Sequence, residues 1–299
     1  MVREERDLYN EKCELTGKTY FKGDPIPENH YPMVVMIAIQ NSKGEFLMQK
    51  RVPRKGGDWG VTGGHPKAGE TTDQGIVSEV LEELGVDISN EKLEVFASGC
   101  DKVDCYKMYY LQKDFNVSDF NIQEDELTEV KWFSIDTLYK MVETKELNPN
   151  QVDFFVKCMN YLKHNKRFYV KHEFPTNSDF IKLFKSVGWD REEERINKNR
   201  LNTCFAVSIY EQDEIVGMGR IVGDGCYYTI YDIVTRGDKH GLGIGSIVMT
   251  ELVNWYKIIK DDDTYLYLGA SKGKEPFYEK FGFKSRPNEN VGAGMKWYE

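Results

Sequence analysis

The sequence lacks the patterns that staple or metallate small proteins. Its six cysteines, at 13, 100, 105, 158, 204 and 226, form no CxxC, and its five histidines form no HxxxH or HExxH. That spacing argues against a zinc site. A chain of 299 residues needs no disulfide staples, so reduced thiols in a cytoplasmic compartment are expected. Long apolar runs are missing too. The strongest, MVVMIAI, falls far short of the roughly 20 residues that cross a bilayer. The opening MVREERDLYNEK is charged, has no apolar stretch, and is not expected to act as a signal peptide. Basic excess is absent: 40 Lys and Arg stand against 49 Asp and Glu, a net charge of -9. Such a field disfavours nucleic-acid polymers and anionic membranes as partners. No internal repeat or low-complexity tract occurs.

What is present fits ordinary packed cores, with 40% hydrophobic and 13% aromatic residues. The length predicts two domains. Residues 17–29 read as turn-rich, followed by strands over YPMVVMIAI and EFLMQKR. A glycine-rich loop (RKGGDWGVTGGHPKAGE) precedes a helix. A strand pair over 92–115, a strand over ELTEVKWFSI and two amphipathic helices (DTLYKMVETKEL, VDFFVKCMNYLKH) follow. Near 165–170 the pattern restarts. A helix (SDFIKLFKSVGW), three strands (CFAVSIYEQ, EIVGMGRIV, YYTIYDIVT), a long helix (GSIVMTELVNWYKIIK), a strand (TYLYLGA), a short helix (EPFYEKF) and a final strand (GMKWYE) are expected. The fold class is therefore two α/β (α+β) domains, over 1–166 and 167–299.

Within the first, SEVLEELGV gathers Glu79, Glu82 and Glu83 at i, i+3 and i+4, where like charges repel. Thr71 or Thr72 can cap this helix and Gly85 can end it. Ile76, Val77, Val80, Leu81 and Leu84 form its expected core face. From Thr71 to Asn90 no Lys or Arg compensates the glutamates. The helix alone fits either a solvated acidic face or a platform for a hard divalent cation.

The surrounding residues break that tie. GHPKAGETTDQGIVSEVLEELGV follows G-x5-E-x7-R-E-U-x-E-E-x-G-U at Gly64, Glu70, Glu79, Val80, Glu82, Glu83, Gly85 and Val86. The region resembles the Nudix box, and the resemblance covers residues 1–165. It implies a Nudix α/β/α sandwich with a mixed sheet. It implies Mg²⁺ or Mn²⁺ held by Glu79, Glu82 and Glu83, with Gly64 adding its carbonyl. It implies a further acid from a later loop, for which Glu126 is preferred over Glu124 and Asp125. Glu79 or Glu126 would orient or deprotonate the attacking water. The substrate class implied is a small-molecule diphosphate. The box arginine is replaced by Ser78, for which Lys67 or Arg51 can substitute. GGHPKAGE and an N-terminal strand-and-turn arm also resemble the isopentenyl diphosphate isomerase branch, but the catalytic cysteine position of that branch is Gly63, so hydrolysis is expected instead.

In the second half, RGDKHGLGIGSIVMTEL sets Gly241, Gly243 and Gly245 between a strand and a long helix. Glycines allow close backbone approach, and a helix N-terminus offers N–H groups to phosphate. A tight turn is the bland alternative. The Walker A lysine is absent, and Ser246 stands where a dinucleotide fingerprint needs glycine. The loop fits Q/R-x-x-G-x-G/A with His240 first, and EPFYEKFGF follows about 30 residues later. Residues 168–299 thus resemble the GNAT N-acetyltransferases, with a central, mostly antiparallel sheet flanked by helices. That resemblance implies acetyl-CoA bound by His240, Gly241, Leu242, Gly243, Ile244, Gly245 and Ser246. It implies pantetheine paired along Ile233 and Thr235, direct attack by a small amine, and Tyr278 as acid to the CoA thiolate. Asp224 and Asp232 are candidate bases or structural residues. A bifunctional enzyme is the leading expectation. The alternative is an acetyltransferase whose Nudix half is a weak, ligand-binding module.

Overall fold

A computed structural model describes residues 3–101, 103–164, 166–289 and 291–295. The chain divides into two compact units, Met1–Glu173 and Phe174–Glu299. Among the described residues no helix is long and apolar enough to cross a membrane.

The first unit opens with a two-stranded antiparallel arm, β1 (Glu5–Tyr9) and β2 (Leu15–Phe21). β2 occupies part of the stretch expected to be turn. Its alternation is faint because one face is solvent-exposed, and pairing with β1 overrides the turn signal of Gly17. The main sheet comprises β3 (Met33–Gln40), β4 (Phe46–Arg51), β5 (Trp59–Gly60), β6 (Thr62–Gly64), β7 (Glu94–Cys100), β8 (Cys105–Gln112), β9 (Leu127–Phe133) and β10 (Tyr169–His172). Its order is β10-β7-β8-β3-β4-β5, with β6 on β3 and β9 on β4. It is mixed: β3 runs parallel to β8 over Met33–Gln40, and antiparallel to β6. Helices α1 (Thr72–Leu84), α2 (Ile135–Glu143) and α3 (Val152–Lys163) accompany it.

α1 forms where its caps predict. Thr71 accepts from Gln74 N, the Gln74 side chain returns the bond, and Gly85 closes the end in the left-handed region. Ile76, Val80 and Leu84 are fully buried against β3 and β8 side chains such as Ile37 and Tyr109, and Val77 packs at the margin of that core. Leu81 departs from expectation and is exposed. The stripe at i, i+4 and i+8 is narrow, and Leu81 falls beyond its edge.

The second unit holds α4 (Asn177–Lys185), α5 (Glu193–Leu201), β11 (Phe205–Glu211), β12 (Glu214–Gly223), β13 (Tyr227–Thr235), α6 (Ile244–Ile259), β14 (Tyr265–Leu268) and α7 (Glu275–Glu279). Strands β11, β12 and β13 are antiparallel neighbours, and β14 joins β13 in parallel. α6 buries Ile244, Ile247, Val248, Met249 and Leu252. α5 was not anticipated: EERINKNRL has no apolar period and buries Ile196 alone. Of the expected final strand, residues 296–299 lie outside the described residues, and 294–295 are not strand.

Candidate active sites

In the first unit, antiparallel β6 lays its backbone under α1. A Cβ at Gly64 would stand inside the Glu79 carboxylate, so only glycine lets that carboxylate rest on the chain. One residue earlier, a Cβ at Gly63 would lie 2.6 Å from the Val35 carbonyl oxygen. A thiol at this position has no room, which agrees with the missing isomerase cysteine.

The three glutamates share a face of α1 but have different partners. Glu82 pairs with the Lys67 ammonium. Glu83 accepts from Gln49 Nε2 at 2.7 Å, and buried Gln49 is itself fixed by Thr62 Oγ1 at 2.7 Å. Glu126, immediately ahead of β9, pairs with Lys55, while Asp125 faces exposed Arg54 at 3.9 Å. Burial, and then the charges of Glu83 and Glu82, push the Glu79 carboxyl up to about 7. Glu83 also reaches about 7, driven by burial and by Glu126 and opposed by Gln49, Lys55 and Arg51. Glu79, Glu82, Glu83 and Glu126 therefore feel one another, while their donor atoms remain apart.

Ser78 donates to Glu70 Oε1 at 2.9 Å, and Glu70 Oε2 accepts from Lys67 N at 2.8 Å. The serine thus fastens the loop ahead of α1 and leaves the glutamates to cations from elsewhere. Lys67 is one of the two expected substitutes, and Arg51 acts on Glu83 at longer range. Three participants were missed. Gln49 and Lys55 lie ahead of the box, and only pairing of β4 with β9 brings them to it. Arg6 is nearly buried and lowers the Glu79 carboxyl; it comes from the N-terminal strand-and-turn arm. That arm grips the box loop, with Ala68 N donating to Glu5 O at 2.9 Å and Gly69 N to Asp7 Oδ2 at 2.8 Å.

In the second unit, the expected loop stands between β13 and α6. Gly243 is the N-cap at φ +81° and Gly241 lies at φ +82°, both left-handed. This bend leads into the N-terminus of α6, the end at which a helix leaves its first N–H groups without partners of the regular helical pattern. Gly245 sits under Phe277, with 3.3 Å between its ideal Cβ and the Phe277 ring. Leu242, Ile244 and Ser246 complete the turn, and Ser246 N already donates to Gly243 O at 2.9 Å. His240 Nε2 lies 3.0 Å from Thr235 O, so the ring is turned back onto its own strand.

β13 and β14 pair only from Tyr227↔Tyr265 to Ile230↔Leu268. Beyond that, among the described residues, β13 continues without a strand partner on this side through Ile233 to Thr235. A bulge at Asp232, with φ +55°, marks the departure. A cavity of about 950 Å³ flanks β14 and α7 and is lined by Leu268, Gly269, Glu275 and Tyr278 among others. Burial raises the Tyr278 phenol above its ordinary value, so it is protonated at neutral pH. The candidate bases have other occupations. Asp232 accepts from Arg220 Nε at 2.5 Å, and Asp224 accepts from Cys226 N and Tyr227 N at 3.0 and 2.8 Å in the hairpin turn.

Comparison with known proteins decides the lineage. A NUDIX domain profile matches residues 30–158, and an acetyltransferase (GNAT) domain profile matches 169–299. An uncharacterized Nudix hydrolase of Listeria monocytogenes is 32% identical over 54% of this chain and 96% of its own length. An uncharacterized N-acetyltransferase of Gracilaria tenuistipitata var. liui is 30% identical over 40% of this chain and 67% of its own. The chain is a Nudix hydrolase joined to a GNAT acetyltransferase. Further matches include a Pseudomonas putida NAD-capped RNA hydrolase, 24% identical over 52% of this chain and 51% of its own. Among solved structures, a probable acetyltransferase from Staphylococcus aureus is 29% identical over 44% of this chain and 99% of its own, with a TM-score of 0.40. The Nudix–GNAT chain thus carries both enzyme classes, and the two units are α+β domains of those kinds.

Proposed function

We propose that the Nudix half hydrolyses a small-molecule diphosphate with Mg²⁺ or Mn²⁺, and that the GNAT half transfers acetyl from acetyl-CoA to a small amine. One observation carries the first part: the Glu79 carboxylate rests on a backbone that only glycine at 64 allows so near, and the charges of Glu82, Glu83 and Glu126 act within the same face. Carboxylate and carbonyl oxygens suit a hard divalent cation. Glu79, Glu82 and Glu83, with the Gly64 carbonyl, would hold it, and Glu126 would complete the acidic face. Bound there, the ion neutralises the diphosphate and supports formation of the nucleophile and departure of the leaving group. The remaining tasks belong to the chain. Glu79 or Glu126 would orient the attacking water and take its proton. Gln49 orients Glu83, and Lys67 and Lys55 are positioned to move from carboxylate to phosphate.

On the GNAT side, the N–H groups across 241–246 would receive the pyrophosphate. The unpaired edge of β13 at Ile233 and Thr235 would pair with pantetheine as an added strand. Tyr278, protonated and at the cavity wall, would return a proton to the CoA thiolate. His240 is assigned to shaping the loop. The acceptor amine attacks the thioester carbonyl, the C–S bond breaks, and the amine loses a proton to solvent.

A second reading has one supporting observation: Lys67 and Lys55 already neutralise Glu82 and Glu126. On that reading the Nudix half binds a ligand without turnover. Phosphate release across nucleotide and non-nucleotide diphosphates, for wild type and Glu82→Gln with Mg²⁺ or Mn²⁺, separates the two. The hydrolase reading expects metal-dependent turnover that drops at least about tenfold in the variant, since even outer-shell partners of a metal cost that much. No metal-dependent turnover on any member would favour the binding module.

A further inference from the structure

Cys13 meets Cys100 and Cys105, a hairpin pair distant from it in sequence, in the first unit. The Sγ atoms of Cys13, Cys100 and Cys105 all lie within 4.8 Å of one another, and all three are free thiols. Cys100 and Cys105 are cross-strand partners at the end of the β7–β8 hairpin. Cys13 comes from the turn between β1 and β2. We propose that these three thiolates form a binding site for a soft divalent cation, zinc by preference, that fastens the N-terminal arm to the hairpin.

Several observations support it. The Sγ atoms of Cys100 and Cys105 lie 2.8 Å apart, whereas a tetrahedral zinc with Zn–S near 2.3 Å spaces its sulfurs about 3.8 Å apart, so the ion would spread this pair by about 1 Å within the trio. Cys13 adopts φ +59°, which is rare and costly for a residue with a side chain. The turn is held in that shape: Asn10 Oδ1 accepts from Lys12 N at 2.9 Å and Glu14 N at 3.0 Å, and Cys13 N donates to Asn10 O at 2.9 Å. The Cys105 sulfur lies 3.3 Å from Asn10 O, so the same turn touches two of the three cysteines. Cys105 is buried, while Cys13 and Cys100 are half-buried, so an ion has a way in and water can take the fourth position. The chemistry is distinct from the glutamate face of α1, because thiolates select zinc over magnesium. Only the fold reveals the trio, since Cys13 and Cys100 are separated by most of the domain's sequence.

The site has a structural consequence. The arm that carries Cys13 also grips the box loop through Glu5 and Asp7, so loading the thiolates would brace the loop that precedes α1.

The full chain, purified under reducing conditions, is tested by metal analysis and by cobalt substitution. The expected result is one zinc per chain, and a thiolate-to-cobalt charge-transfer band that carboxylate ligands cannot produce. Cys13→Ser should lose both, whereas Glu82→Gln and Cys226→Ser should keep the band. The wild-type spectrum is decisive by itself, so the test stands even where Cys13→Ser folds poorly. Absence of the band in the wild type, its survival in Cys13→Ser, or a Cys100–Cys105 disulfide in the unreduced mass spectrum would each overturn the site.

Discussion

A single hydrogen atom in place of a methyl group at position 64 lets the Glu79 carboxylate rest against β6. Gly64→Ala puts a Cβ into that carboxylate and must drive it off. The expected outcome is hydrolysis reduced by about tenfold or more, a loss comparable to that of disturbed outer-shell partners of a metal, with little change in melting temperature. Equal turnover would show that Glu79 acts from another position. The two raised carboxyls make a second prediction. Glu79 and Glu83 titrate near 7 in the fold against an ordinary 4.5. Between those values the folded chain holds protons that the unfolded chain has released, so their contribution to stability is complete below 4.5 and is lost as pH rises through 7. Without divalent ions, the wild-type melting temperature should fall across that window relative to a Glu79→Gln/Glu83→Gln variant. Added Mg²⁺ should restore it above pH 7 and do less below, because the ion competes with protons for the same oxygens. A wild type that gains on the double variant with rising pH would contradict the assignment. Ser78 needs no such rescue: its bond to Glu70 fixes the loop, and lysines take over charge compensation.

At the scale of elements, the loop between β13 and α6 makes the clearest demand. Gly243→Ala forces an alanine to φ +81°, at a cost of about 1–2 kcal/mol. If the first N–H groups of α6 bind the pyrophosphate, the KM for acetyl-CoA should rise about tenfold, the equivalent of 1.4 kcal/mol, while kcat changes less. An unchanged KM would place the pyrophosphate elsewhere. This loop was legible in the sequence because glycines, a strand and a long helix announce one another locally. So was α1, whose capping box, apolar stripe and closing glycine lie within 15 residues. β1 and β2 were legible only through the resemblance to the isomerase branch, as a strand-and-turn arm, because half their residues face solvent and leave little alternation to read. Leu81 shows the related limit of periodicity: it gives the direction of a buried stripe but not its width. Asp224 and Asp232 show why residue type alone does not identify a base, since a hairpin turn and a buried arginine already engage them.

At the scale of the whole molecule, two complete constellations lie on one chain, each within its own compact unit. Every residue assigned to phosphate chemistry precedes Glu173, and every residue assigned to acetyl transfer follows Phe174. The buried cluster beneath α1 draws only on first-unit residues, Tyr9 to Val130. No side chain is shared between the two reactions, and sites without shared partners respond additively to substitution. Glu82→Gln should therefore suppress metal-dependent phosphate release while leaving CoA-thiol release, measured with an amine panel, within about twofold of wild type. Tyr278→Phe should do the reverse: removing the phenolic proton slows thiolate departure and lowers kcat for acetyl transfer by about 100-fold, the lower end of general acid catalysis, with hydrolysis untouched. Full acetyl transfer in the phenylalanine variant would remove Tyr278 from the acid role. Loss of both activities in either single variant would mean that the two reactions are coupled through the chain, and the product of one would then have to be sought among the substrates or ligands of the other.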